Sequence, residues 1–119
     1  MANLKQSVAN TILDNTASGL YLGLATTSPT ATSNGTEISG NGYARQAISF
    51  AAASAGTKAQ SATVTFPAAS GAQGTAVAWV LWTALTGGTQ VAWKPITPIA
   101  INNGDQVTLP SATVNLSLS

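Results

Sequence analysis

Ala76-Val77-Ala78-Trp79-Val80-Leu81-Trp82 is the most apolar stretch of the chain. Its seven residues are apolar at every position, so no single face is set aside for water. It is short, it contains two tryptophans and two valines, and Gly87-Gly88 follows a few residues later. A short, bounded, β-rich run that is apolar on both faces reads as a central strand covered on both sides. We place that strand within residues 75–85. The two glycines before Gln90 signal a hairpin, and Val91 and Trp93 read as the return strand.

Working outward, other strands follow at short intervals. Leu20, Leu22 and Leu24 alternate along one face of a strand over residues 20–25. Ile48 and Phe50 share a face over 45–50, and Ala62, Val64 and Phe66 share one over 59–66, which Pro67 ends. Pro95 and Pro98 mark an edge strand or an extended connection, since proline cannot donate to a ladder. Asn102-Asn103-Gly104-Asp105 is a turn. Val107 and Leu109, then Val114, Leu116 and Leu118, close the chain with alternation. Seven or eight short strands separated by turn chemistry predict an all-β fold, an antiparallel β-sandwich or jelly-roll-like domain. The 119 residues form a single domain, 1–119, with the sandwich spanning 20–118. Residues 26–42, rich in Ser, Thr, Asn and Gly, read as a long protruding loop.

The one helix is expected over residues 3–15, where Leu4, Val8 and Ile12 recur at i, i+4 and i+8 and Leu13 widens the stripe. Asn3 is placed to cap it. So short a helix must dock to persist. It lies over its own domain's sheet edge, or it is an arm that docks on a neighbouring subunit.

Composition narrows the function. Only 6% of residues are charged, four basic and three acidic, for a net charge of +1. Ordinary soluble domains carry about 25%. Ala, Ser, Thr and Gly make up about half of the chain. Such a surface is easily desolvated, which suits a packed, assembled subunit. There is no His and no Cys, which excludes His bases, Cys nucleophiles, zinc sites and disulfides. The three acids, Asp14, Glu37 and Asp105, are not paired in any catalytic or calcium-binding pattern. We expect no enzymatic activity, no cofactor and no metal. The scattered basic residues form no stripe for nucleic acid. No apolar run reaches the length of a membrane span, and no signal peptide is apparent, so synthesis and retention in a cytoplasm are expected. Trp79 and Trp82 point to opposite sides of one strand, and core packing is the reading for all three tryptophans.

The most distinctive local string is Gly40-Asn41-Gly42-Tyr43-Ala44-Arg45. Two glycines around Asn suit a tight bend with positive φ. Tyr43 and Arg45 then share a strand face, and Glu37 lies eight residues before Arg45, across the bend. A Glu37–Arg45 ion pair would clamp the end of the long loop.

At this string the chain resembles a family of small tailed-bacteriophage structural proteins. There an apolar Leu-Tyr-Leu run leads into a Thr/Ser/Asp-Pro loop, as in residues 20–29 here. The family's Thr-Glu-Val-Ser-Gly-x-Gly-Tyr-Ala-Arg-Gln segment reads here as Thr36-Glu37-Ile38-Ser39-Gly40-Asn41-Gly42-Tyr43-Ala44-Arg45-Gln46. Ala62-Thr63-Val64-Thr65-Phe66-Pro67 and the turn at 102–105 also match. Family loops often contain acids, whereas this one is almost all Ser, Thr, Asn and Gly. Members are labelled tail fibre, head fibre or capsid decoration (cement) proteins. The resemblance implies a virion structural protein, foremost a capsid decoration protein that binds the major capsid protein as a homo-oligomer, with a trimer favoured, on the capsid surface. A tail or head fibre component contacting the host, and a carbohydrate-binding domain, are the alternatives. The contact elements expected are the loop, the helix residues Leu4, Val8 and Ile12, and the Glu37, Tyr43, Arg45 group, with Tyr43 in a subunit contact.

Overall fold

A computed structural model of the chain describes residues 5–16, 19–111 and 113–117. One helix, α1 (Gln6–Thr16), precedes nine strands. They are β1 (Tyr21–Thr27), β2 (Thr36–Glu37), β3 (Gln46–Ala47), β4 (Thr57–Ala59), β5 (Val64–Thr65), β6 (Gly74–Trp82), β7 (Gln90–Ile101), β8 (Thr108–Leu109) and β9 (Asn115–Ser117). All pairings are antiparallel. The fold is all-β and sandwich-like with an N-terminal helix. The main sheet runs β2-β1-β6-β7, with β3 also paired to β1, and two ribbons, β4–β9 and β5–β8, form the second layer.

The apolar run quoted first is β6, buried between β1 and β7. Its cross-strand register sets the two faces. Leu22 lies opposite Leu81 and Leu24 opposite Trp79, and these side chains join Leu20, Ile48, Phe66, Leu109 and Val114 in the main core. Gly23 lies opposite Val80 and Ala25 opposite Ala78, and the second face holds a smaller cluster of Ala25, Ala78, Val80 and Trp82. Across the core, Gln60 ties the ribbons together. Its Nε2 donates to the carbonyls of Ala62 and Leu109, and its Oε1 accepts from Val114 N. A fully buried amide with these bonds made is stable, because no polar atom loses water without a partner.

Three expectations change. The return strand and the proline-bearing segment are one strand of 12 residues, β7, whose only strand partner among the described residues is β6. The register slips between Ala76 and Ala78, where Pro95 and Ile99 of β7 face them, so the strand bulges around Pro98. The hairpin is closed by residues 83–89 rather than by the two glycines alone, with Thr83 N donating to Thr89 O and Thr89 N to Thr83 Oγ1. The strands expected over 45–50 and 59–66 are short here, and Lys58, Gln60 and Phe50 take up the intervening contacts. Leu118 lies outside the described residues.

The stretch 26–42 is mostly exposed, as a long loop would be, but it is tied to the sheet at several points. β1 runs into it, β2 and the buried Ile38 end it, and Pro29 is fully buried. Asn34 O accepts from Gln90 Nε2 at 2.6 Å. Thr27 leaves the sheet near Ala76, whereas Gln90 pairs with Trp82 at the opposite end of β6. The segment therefore reaches from the β1–β2 end of the sheet to the start of β7.

The helix docks on its own chain, against β4, through Leu13 of the expected stripe but not through Val8 and Ile12. Ala9 and Leu13 are buried, while Val8 and Ile12 are 45% and 40% exposed. Polar anchors explain the rotation. Asn10 Oδ1 accepts from Gly56 N at 2.9 Å, and Asp14 Oδ1 accepts from Ala53 N at 2.9 Å and from Lys58 Nζ at 2.6 Å. Turning Asn10 and Asp14 inward swings Val8 and Ile12 out by roughly a quarter turn. Asn3 and Leu4 lie outside the described residues.

Candidate functional site

Charged side chains meet inside the main sheet at a break in its ladder. β1 pairs with β2 through Ala25 and Thr27, and with β3 through Tyr21 and Leu22. Between these short strands, the backbone of Leu24 keeps one strand-like bond, with its carbonyl accepting from Ile38 N at 3.0 Å. Its N–H donates instead to the Tyr43 hydroxyl at 3.0 Å. A side-chain oxygen thus fills the position a third strand residue would hold.

The bend delivers Tyr43 there. Gly40, Asn41 and Gly42 all have positive φ, at 79°, 53° and 85°. Asn is tolerated in this region because its short polar side chain bonds locally. Asn41 Nδ2 donates to Ala72 O, and Asn41 O accepts from Ser70 N and Gln73 Nε2. The turn is thereby fixed before the chain enters β3. The Tyr43 ring stacks on Phe66, with centroids 6.1 Å apart and planes inclined by 13°.

The Tyr43 hydroxyl donates to Glu37 Oε2 at 2.6 Å. Arg45 Nε donates to the same oxygen at 2.8 Å, and Arg45 Nη2 to Oε1 at 2.8 Å, a bidentate pair. Arg45 Nη1 donates to the carbonyls of Ala84 and Gly87 in the β6–β7 connection, at 2.8 and 2.7 Å. The guanidinium carbon lies 3.8 Å from the centroid of the Trp82 ring, a cation–π stack. Gly23 makes this possible. A Cβ there would fall 2.7 Å from Tyr43 Oη, 3.0 Å from Glu37 Oε2 and 3.2 Å from Trp82 Nε1. Trp82 Nε1 is buried without a hydrogen-bond partner.

Burial, then the hydrogen bond to Glu37, holds the Tyr43 phenol far above its ordinary value. The hydrogen bonds that Arg45 donates to Glu37 likewise raise its guanidinium above the ordinary value. At neutral pH the phenol stays protonated and the guanidinium charged, and both carboxylate oxygens are engaged. Proton transfer needs a group that changes state near the working pH. Tyr43 and Arg45 do not change state there, and their bonds fix the geometry, so the cluster works as a brace joining β1, β2, the bend and the β6–β7 connection. A groove of about 280 Å³ opens beside it, walled by Ile38, Leu85 and Gly87.

Of the residues singled out from sequence, the structure brings Glu37, Tyr43 and Arg45 together. The Tyr43 hydroxyl and ring are both engaged within the domain. Val8 and Ile12 lie apart, on the outer side of α1. Among the described residues no three His, Cys, Asp or Glu side chains gather as for a metal. One residue departs from its expected role. Trp93, read as core, is 37% exposed beside a groove of about 320 Å³.

A family model described as Podophage GP4 fiber I protein gp80 matches residues 2–117. The chain belongs to this podophage fibre protein family. The gp80 match spans α1, the sheet, the brace and both ribbons, so the whole described fold falls within the family. No curated protein matches the chain. Membership in the gp80 fibre family makes it a structural protein of the phage virion.

Proposed function

We propose that this protein is a non-enzymatic fibre subunit that works as a homo-oligomer, a trimer, seated on the surface of the phage head against the major capsid protein. The observation that carries this reading is the brace. The Glu37–Tyr43–Arg45 cluster is fully engaged in joining distant segments, which stiffens the domain and commits these groups to structure. Stiffness is what a load-bearing fibre needs.

The outer side of α1 is the contact. Val8 and Ile12 stand exposed on it, and burying them against another copy would stabilise the assembly at little desolvation cost. The fibre-family match reverses the order that sequence alone suggests and ranks a projecting fibre ahead of a capsid-cementing role. Binding to the head would also stabilise the shell by mass action.

Light scattering on the purified chain tests the assembly. The wild type is expected to run as a trimer, and Val8→Asp with Ile12→Asp as a monomer with unchanged circular dichroism. A monomeric wild type, or an unaffected double variant, overturns the contact. Density for the chain on the tail in a virion reconstruction overturns the head location.

A further inference from the structure

We propose that the groove between residues 30–34 and the start of β7 is a binding site for a neutral saccharide, with Trp93 as its stacking platform. This site does not depend on the assembly proposed above.

Trp93 sits on an edge strand, opposite Val80 on the second face of the sheet. In a chain that buries Trp79 and Trp82 almost completely, it is 37% exposed. An indole left at a surface groove offers a flat apolar face with a polar edge, a combination that recurs where one side of a ligand is apolar and the other wet. Sugars are built that way, with C–H bonds on one ring face and hydroxyls around the rim.

The opposite wall supplies the rim's partners. Thr30, Thr32, Ser33 and Asn34 line it, and Gln90 lies beside Trp93 on the strand. None of the lining residues is charged. Lys94 is the next residue, but it pairs with Trp79 and belongs to the other face of the sheet. With no cation to attract an acidic sugar and no acid to attract an amine, the groove selects for hydroxyl and amide groups. Its volume of about 320 Å³ lies at the lower end of ligand pockets, of about 300–1,000 Å³, which suits a ligand no larger than a disaccharide.

The wall is also held in place before any ligand arrives. Thr30 N donates to Ser33 O at 2.8 Å, closing a turn. Gln90 Nε2 donates to Asn34 O at 2.6 Å, and Pro29, just before the wall, is buried. Preorganisation lowers the entropy cost of binding, so a small ligand can be retained with few contacts. Long edge strands usually need protection from pairing, and β7 slips register twice, between Gln90 and Ala92 and again around Pro98. The half that carries Trp93 also has residues 30–34 across the groove, and the indole stays accessible between them.

The test uses the full chain and saturation-transfer NMR with methyl glycosides of glucose, galactose, N-acetylglucosamine and rhamnose at millimolar concentration, with sialic acid as the charged comparison. At least one neutral glycoside is expected to receive saturation. In Trp93→Ala its affinity should fall by about tenfold or more, equivalent to about 1.4 kcal/mol. Leu85→Ala removes an exposed apolar side chain outside the groove and should bind as the wild type does. Should Trp93→Ala lose its circular dichroism signature, Gln90→Ala and Trp93→Phe serve instead, with weakened and retained binding expected. No transfer to any neutral glycoside, stronger transfer to sialic acid, or undiminished binding by Trp93→Ala (or by Gln90→Ala where it stands in) overturns the proposal.

Discussion

Replacing Tyr43 by Phe removes a single oxygen and leaves the ring on Phe66. The hydroxyl accepts from Leu24 N at 3.0 Å and donates to Glu37 Oε2 at 2.6 Å. Leu24 is almost completely buried, so its N–H loses its partner with no water to replace it. An orphaned buried donor costs about 1–3 kcal/mol. Loss of the bond to Glu37 adds less than a typical charged hydrogen bond, because two bonds from Arg45 remain on that carboxylate. The expected destabilisation is about 2–3 kcal/mol. With an m-value of about 2 kcal/mol/M, the urea midpoint falls by roughly 1–1.5 M at unchanged m. Amide exchange locates the effect, since Leu24 should lose protection while Val80 and Leu81 on β6 keep theirs relative to the new global stability. A midpoint shift below about 0.3 M, or a Leu24 amide as protected as before, would refute the claim that the hydroxyl stands in the ladder.

The same phenol makes stability sensitive to alkali. Its proton is held more tightly in the folded chain, so its contribution is complete below the unfolded value of about 10 and is lost as pH rises beyond it, with a slope of at most about 1.4 kcal/mol per pH unit. Urea titrations from neutral to strongly alkaline pH should show this slope in the wild type and not in Tyr43→Phe. Asp14 acts in the opposite sense: the hydrogen bond from Lys58, then that from Ala53 N, lowers its carboxyl below the ordinary 3.8. Its hold on α1 is therefore intact at neutral pH and fades as acid protonates it, and helix amides should exchange faster on acidification in the wild type but show no such dependence in Asp14→Asn. Two glycine substitutions separate clash from backbone strain. Gly23→Ala meets Tyr43 Oη at 2.7 Å and should cost about 1–3 kcal/mol by thermal or urea melting. Gly40→Ala has open space at Cβ but a φ of 79°, and should cost about 1 kcal/mol through strain alone.

Much of the sheet is legible locally because its signals are local. The alternation of Leu20, Leu22 and Leu24 and the two-faced apolarity of β6 follow from pleat geometry, and the structure buries them accordingly. The bend at Gly40-Asn41-Gly42 and the eight-residue spacing of Glu37 and Arg45 also place the ion pair. What stays hidden depends on neighbours distant in sequence. The role of Tyr43 as a ladder acceptor requires that β2 and β3 leave a gap beside Leu24, and nothing near Tyr43 encodes that gap. The exposure of Trp93 follows from β7 lying at the edge of the strand order. The phase of α1 is set by Asn10 and Asp14 reaching Gly56, Ala53 and Lys58, so a stripe of apolar residues misleads when polar anchors decide which side turns inward. Residues 26–42 are as solvent-exposed as their composition suggests, but nothing local encodes the burial of Pro29 or the Gln90–Asn34 bond that ties them to the sheet.

The placement of the acids argues for a structural role more strongly than their scarcity does. Each of the three is already an acceptor within the fold. Asp14 fastens the helix through Ala53 N and Lys58. Glu37 holds Tyr43 and Arg45. Asp105 Oδ2 accepts from Asn102 N and closes the turn that feeds β8. A carboxylate in such a position cannot act as a base without releasing the segment it fixes. Two of the four cations, Lys58 and Arg45, are joined to these acids across 44 and eight residues of sequence. A chain with seven charges that places five of them at its junctions uses charge to lock segments together. The surface that remains is hydroxyl- and amide-rich, and among the described residues its large apolar exceptions are Val8 and Ile12 on α1, Leu85, Trp93 and Ile99.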